Sequence, residues 1–380
     1  MMAAVNYSEA MHLSVVKNIA VVGAGIAGSL AAYKLIKQGY SVTVYESDQL
    51  KQSCSFTAAG MLAPMAELET ADSGVYQLGV KSLSMWPAIL NQLEQDHDEK
   101  IFFNDQGTLV VHHTQDQGCL DQFIASLQSK LGSEFSNLCE QVSVSNCEPD
   151  LINFSKGILL KNEAQLDSHQ LLNALHRVIK VKGKWLNQKV NSISPKSISL
   201  SNGCTHPYDW VFDCRGLAAS KDINGLHGIR GERILVHAPQ VNINRMVRLM
   251  HPRYRLYIAP RDNDHYVIGA TELESSDNGP ISVRSALELL SAAFSLHSGF
   301  AEARIIDMRT GLRPTRFDHQ PFLKTKNGLT VINGFYRHGF LIAPAVIENA
   351  LHEFTESINK NGLTNKPVMK QTEVNHESYV

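Results

Sequence analysis

The chain has 380 residues, is 43% hydrophobic, and carries 35 basic against 37 acidic side chains. That length points to two domains with ample cores, and near-neutral charge without a basic block argues against nucleic acid or a membrane as a partner. The six cysteines are scattered with no CxxC pair, as expected of reduced thiols in a cytoplasmic protein. No apolar run approaches the length of a membrane span.

Residues 1–15 lack the basic start and long apolar core of a signal peptide, and Met1 and Met11 are both candidate starts. Residues 1–15 and the polar tail 361–380 are expected to be flexible. The first element is an apolar run, Ile19 to Val22, which reads as a buried parallel strand. Gly23-Ala24-Gly25-Ile26-Ala27-Gly28 follows directly. A helical pattern with Leu30, Ala31, Tyr33 and Leu35 then runs until Gly39 stops it. A second strand, Val42 to Tyr45, ends in Glu46, 18 residues after Gly28.

Each of these residues has a physical task. Gly23 allows a tight turn, Gly25 lets the backbone approach a pyrophosphate, and Gly28 lets helix and strand pack closely. The helix N-terminus offers free N–H groups and its positive dipole end to the phosphates. A carboxylate at Glu46 accepts hydrogen bonds from a ribose diol and repels a 2′-phosphate. The ligand is therefore an adenine dinucleotide, and this stretch alone does not decide between FAD and NAD.

Residues 53–64, SCSFTAAGMLAP, are small and apolar, and suit either a buried helix start or backbone passing close to a flat ring system. A helix over 75–98 follows, with a core stripe of Tyr76, Leu78, Leu83, Trp86, Ile89, Leu90 and Leu93. Phe102 to His113 reads as a hairpin turning at Asp105-Gln106-Gly107. Next come a helix over 119–131, a strand at 158–160, and a helix from Asp167-Ser168 to about Val181. Strands are expected near 187–194 and 197–201, and the buried strand Asp209 to Asp213 breaks at Cys214-Arg215-Gly216. Strand patterns at 234–236, 248–250, 255–260 and 265–271 precede a helix over 281–296 capped by Ser282. The chain ends with Gly311-Leu312-Arg313-Pro314, a strand over 329–333, Gly334 to Gly339, and a helix from Phe340 to about Ser357.

Dinucleotide-type pieces thus flank antiparallel pieces. The expected fold class is α/β: a discontinuous Rossmann-like domain (16–75, 145–220 and 305–360) interleaved with a smaller substrate domain on a mixed or antiparallel sheet (76–144 and 221–304). The ligand's reactive ring would lie at their interface.

Taken together, GAGIAG with Glu46, SFTAAGMLAP, YIAPR at 257–261, VIGAT at 267–271, GLRPT at 311–315 and GFYRHGFLIAPA at 334–345 resemble the D-amino-acid oxidase superfamily of flavoproteins. Within it the chain is most similar to the glycine oxidases of thiamine biosynthesis (the ThiO group). The motifs span nearly the whole chain in the family's order. Two departures stand out: Asp213-Cys214-Arg215-Gly216 where many relatives have Ala-Thr-Gly, and His338 where some glycine oxidases have Asn.

The resemblance implies FAD, held non-covalently, because no cysteine lies near Gly311 to Thr315. It places the cofactor against Gly23 to Gly28, Glu46, Ser47, Ser53, Ser55 and Thr57. It continues along Ala58, Ala59, Gly60, Met61, Val190, Cys214, Arg215 and Gly216. The contacts finish at Arg313, Gly334, Tyr336, Arg337, His338, Gly339, Phe340 and Leu341. Arg337 and Tyr257 would fix a substrate carboxylate, with Arg313 as a second arginine near the ring. His251, Arg253 and Arg255 are weaker candidates for the pocket wall, and no metal is implied.

The implied reaction is hydride removal from the α-carbon of a small amino acid, glycine favoured. Dioxygen would reoxidise the flavin to give hydrogen peroxide, and the imine would hydrolyse or pass to thiazole synthesis. The helix starting at Gly339-Phe340 would face the flavin's N1–C2=O edge. Three alternatives stay open: an oxidase of sarcosine, a D-amino acid or another secondary amine, a flavoprotein that oxidises a partner protein, and an NAD-dependent dehydrogenase. Relatives are often oligomers, and no interface is legible in the sequence.

Overall fold

The computed structural model describes residues 16–47, 53–252 and 256–360. Two large sheets organise them. The first has six strands in the order 322–326, 329–333, 210–213, 18–22, 41–46, 184–187. Its pairings are parallel except for the outermost hairpin, 322–326 with 329–333. Such strands are buried on both faces, which explains the unbroken apolar runs Ile19–Val22 and Trp210–Phe212.

Helices Ile26–Lys37, Ser73–His97, Ser168–Lys182 and Gly339–Lys360 supply one continuous core with this sheet. Asp167 caps its helix as expected, accepting from the backbone N–H of His169 and Gln170 at 2.8 and 2.9 Å. The helix Gly339–Lys360 contains Pro344, which has no N–H to give the carbonyl of Phe340. Trp86 fills that gap by donating Nε1–H to Phe340 O at 3.1 Å, while Ser82 Oγ accepts from Ala345 N at 3.0 Å.

The second sheet has eight strands in the order 304–315, 227–237, 265–269, 256–261, 246–250, 108–112, 156–160, 139–143. Only 246–250 with 108–112 is parallel. Helix Val283–Leu296, capped by Ser282, covers one face. Helices Gln117–Leu131 and Pro64–Leu68 cover the other.

Several expectations change. Phe102 to His113 is not a hairpin: Phe103–Asn104 pairs with Ala164–Leu166 in a small sheet, whereas Thr108–His112 belongs to the eight-stranded one. Gly107, at φ +82°, carries the chain across, and a Cβ there would stand 2.5 Å from Leu160 O. The span 187–194 is two strands, Lys184–Asn187 beside Ser41–Glu46 and Val190–Ser194 beside Ser197–Leu200. The helix Ser73–His97, expected mostly with the substrate domain, joins the first core through Trp86, Ile89, Leu90 and Leu93. Residues 304–315, expected with the dinucleotide pieces, pair along their length with His227–His237. The expected flexible termini lie outside the described residues.

Candidate active site

A cavity of about 800 Å³ runs from Gly23 and Glu46, at the ends of the first parallel strands, to Tyr257, Arg313 and Arg337. Its first end is built around residues 23–47, with Ser55 and Cys214–Arg215 packed beside them. Gly23 takes φ +95°, and a Cβ on Gly28 would stand 1.9 Å from Gly23 O, so that contact requires glycine. Ser55 Oγ accepts from Ile26 N at 3.1 Å, tying the helix start to the next segment. Glu46 accepts from Ala24 N at 2.6 Å through one oxygen, and through the other from Ser47 N at 2.7 Å and Ser47 Oγ at 3.1 Å. Burial raises its pKa while these bonds pull it back.

Beneath this loop, His176 Nε2 lies 3.0 Å from both Ala24 O and Ser29 Oγ. Burial lowers its pKa to about 4, so the ring is neutral near pH 7. No sequence signal marks this role, because His176 reads as one more position on an amphipathic helix.

The middle of the cavity is backed by residues 56–61. Arg233 donates Nε–H to Thr57 O at 2.6 Å, and Arg261 donates to Ala59 O. His169 Nε2 lies 2.5 Å from Phe56 O. Gly60, at φ +70°, packs where a Cβ would meet Leu166 O at 2.1 Å. Both arginines are buried, which lowers each to about 10. Arg233 and Arg261 were missed in the sequence because they act on backbone carbonyls far away along the chain.

Most of the expected cofactor contacts border the cavity. Ala24, Gly28 and Ala59 do not: Ala24 turns its amide to Glu46, Gly28 packs on Gly23, and Ala59 turns its carbonyl to Arg261. Arg215 lines the wall but its guanidinium is held by Asp213 at 2.7 and 2.9 Å and by Asp222 at 2.7 Å. The first turn of helix Gly339–Lys360 borders the cavity at Gly339, Phe340 and Leu341, so the helix's positive end faces it.

The second end gathers side chains from five segments. Arg337 is ion-paired to two acids: Nε is 2.6 Å from Glu67 without a formed hydrogen bond, Nη1 is 2.5 Å from Glu272, and Nη2 donates to Thr70 Oγ1 at 2.6 Å. The two carboxylates raise its already high pKa. Glu272 also accepts from Tyr336 OH at 2.6 Å, and its pKa is lowered. Arg313 donates one Nη to Thr271 O at 3.1 Å, while its other Nη is buried with no hydrogen-bond partner among the described residues. The Tyr257 hydroxyl is likewise buried without a partner, and burial pushes its pKa up to about 12. His338 Nδ1 lies 3.5 Å from Glu67, and burial lowers the ring to about 4, leaving it neutral.

Arg313, Tyr257 and Arg337 are thus brought together, but the last is taken by acids. Glu67 and Glu272 were missed. Their signals were present, since Glu272 directly follows VIGAT and Glu67 follows the AAGMLAP segment by three residues. His251 borders a separate groove with Gln115 and Leu287 instead. Arg253 and Arg255 lie outside the described residues.

A backbone cradle at a helix start, a carboxylate at the second strand tip, and a long cavity continuing to a second helix start fit an extended dinucleotide such as FAD. A family model described as "FAD dependent oxidoreductase" (DAO) matches residues 18–348. The chain belongs to this DAO family. Its cofactor is FAD. A protein of Rhizobium etli that carries the name thiamine biosynthesis oxidoreductase ThiO is 37% identical over 331 residues, covering 86% of this chain and 93% of that one. Among solved structures, the glycine oxidase of Geobacillus kaustophilus superposes with a TM-score of 0.77 at 22% identity, covering 90% of this chain and 95% of the other. The iminodiacetate oxidase of Chelativorans sp. BNC1 gives 0.76 at 22% identity, covering 89% and 95%. This member of the DAO family has no helix, among the described residues, long and apolar enough to cross a membrane. Those residues also hold no cluster suited to a metal ion.

Proposed function

We propose that this chain is an FAD-dependent oxidase of a small α-amino acid, with glycine preferred, acting in thiamine thiazole supply. The observation that carries the substrate class is the set of buried, unpartnered donors on Arg313 and Tyr257 beside the cavity, while Arg337, whose Nε also lacks a hydrogen bond, is ion-paired to Glu67 and Glu272. A buried donor without an acceptor costs on the order of 1–3 kcal/mol, and a carboxylate is the acceptor that suits both a guanidinium and a phenol. Arg313, rather than Arg337, then anchors the carboxylate. The ThiO relative and the glycine oxidase neighbour support the choice of glycine and the thiamine role.

FAD, when bound, supplies the two-electron acceptor that takes hydride from the substrate carbon and delivers the electrons to dioxygen as hydrogen peroxide. The residues of this chain do the rest. Arg313 and Tyr257 orient the substrate, and fixing that geometry carries much of the rate. Neutral His338 and the acids on Arg337 add no net positive charge that would hold the amine off. The product imine of glycine takes up water to give glyoxylate and ammonia, or is captured directly. Cys54 and Cys214 border the cavity with thiols that burial pushes up, so neither offers a thiolate to bond the ring, and we propose non-covalent FAD. All six cysteines are unpaired, which suits the reducing cytoplasm.

The test is peroxide release by the FAD-loaded protein against glycine, sarcosine, D-alanine, D-proline and L-alanine. Glycine-led release is expected. Flavin absorbance with no turnover of any panel member would discard the small-amino-acid assignment.

A further inference from the structure

The substrate end holds two arginines, and a monocarboxylic amino acid needs one. Arg337 already carries two carboxylates, Glu67 at 2.6 Å and Glu272 at 2.5 Å. The two acids differ in setting. The Glu67 side chain is 14% exposed on helix Pro64–Leu68. The Glu272 side chain is 45% exposed in the irregular segment between strand His265–Gly269 and helix Val283–Leu296. Both Glu272 oxygens are nonetheless placed, one on Arg337 and the other on Tyr336 OH at 2.6 Å. Tyr336 is itself fixed by stacking on His319, with ring centroids 4.7 Å apart at 18°.

We propose that Glu272 is a specificity-determining residue: it occupies the face of Arg337 that a second substrate carboxylate would need, and so restricts the site to amines bearing one carboxylate. This rests on the small-amino-acid assignment above. A planar guanidinium fork matches a carboxylate by two parallel hydrogen bonds, and Glu272 holds one of those positions on Nη1. An arriving second carboxylate would have to displace Glu272 or sit beside it and Glu67, both negative. Rejection by a fixed like charge is specificity through repulsion. Removing that charge leaves Arg337 with only Glu67, and its Nη1 becomes open to a dicarboxylic amine.

The experiment compares wild type, Glu272→Gln and Glu272→Ala, with Tyr336→Phe as a variant that loses the tyrosine bond but keeps the charge. Two readouts are taken on the FAD-loaded proteins. The first is the ratio of kcat/KM for iminodiacetate and D-aspartate to that for glycine. The second is the Kd of malonate and of acetate, read from perturbation of the bound flavin's visible spectrum. In both Glu272 variants the dicarboxylate-to-glycine ratio should rise about tenfold or more, and malonate should tighten by a similar factor while acetate changes less than threefold. The gain should shrink at high salt, and Tyr336→Phe should show a smaller one. Unchanged ratios and unchanged malonate binding in both Glu272 variants, with glycine still turned over by wild type, overturn the Glu272 assignment alone. Wild type that turns over no amino acid and whose flavin spectrum ignores acetate overturns the small-amino-acid assignment beneath it.

Discussion

At the dinucleotide end of the cavity, Gly23, Ala24, Glu46 and Ser47 come from one stretch of chain, and the carboxylate there is satisfied by amides and a hydroxyl of that stretch. At the substrate end, Glu67, Tyr257, Glu272, Arg313 and Arg337 come from five separate segments, and buried donors on Tyr257, Arg313 and Arg337 have no hydrogen-bond acceptor among the described residues. The first end is shaped by backbone and sterics, and the second by a balance of charges. A site of the first kind tolerates almost no change of shape; a site of the second kind is retuned by changing one charge.

The sharpest way to break the dinucleotide end is Gly28→Val. The first added carbon already collides with Gly23 O at 1.9 Å, so the loop must open. The variant is expected to purify with less than about a tenth of the wild-type flavin content, measured as the ratio of visible to ultraviolet absorbance, with far-ultraviolet circular dichroism reporting the fold. Full flavin content would contradict the packing role of this glycine.

The next effect in size concerns pH. His176 has a folded pKa of about 4 against an ordinary 6.5 in the unfolded chain. The unfolded state therefore binds more protons between those values, and stability falls as pH drops from 6.5 toward 4. The shift corresponds to about 3 kcal/mol. Since the ring sits under Ala24 and Ser29, flavin retention should fall over the same window. A His176→Gln variant should lose much of that pH dependence in thermal melts recorded at pH 4.5 and 7.5. The same slope in both proteins would remove His176 from the account.

A smaller effect separates structural acids from those of the site. Glu163 is fully buried, accepts from Ala66 N at 2.7 Å, and has its pKa raised to about 7 by burial. Its folded value lies above the unfolded one, so its contribution is present at low pH and is lost as pH rises through 7. Glu163→Gln should raise Tm by about 2 °C at pH 8 and change it little at pH 5. A lower Tm at pH 8 would contradict the burial penalty.

The same contrast explains what was legible in advance. The strand, turn, helix and acidic tip of residues 18–46 follow from local periodicity and glycine spacing, and the structure has them within a residue or two. Phe102 to His113 misled because Asp105-Gln106-Gly107 is turn chemistry wherever the chain goes next, and only pairing with Ala164–Leu166 reveals a crossing between sheets. At the substrate end the motifs named Arg313, Tyr257 and Arg337. Which arginine is already neutralised depends on Glu67, 270 residues before Arg337, and on Glu272, 65 residues before it. Contacts of that range leave no periodic trace.

The central claim is that Arg313 anchors the substrate carboxylate. The most direct measurement is anaerobic reduction of the bound flavin by glycine, followed by loss of its visible absorbance, in wild type and in Arg313→Ala. The expected result is bleaching of wild type that saturates with glycine, and at least a hundredfold loss of the apparent second-order rate constant in the variant at equal flavin content. Bleaching of Arg313→Ala at the wild-type rate and glycine dependence would contradict the account.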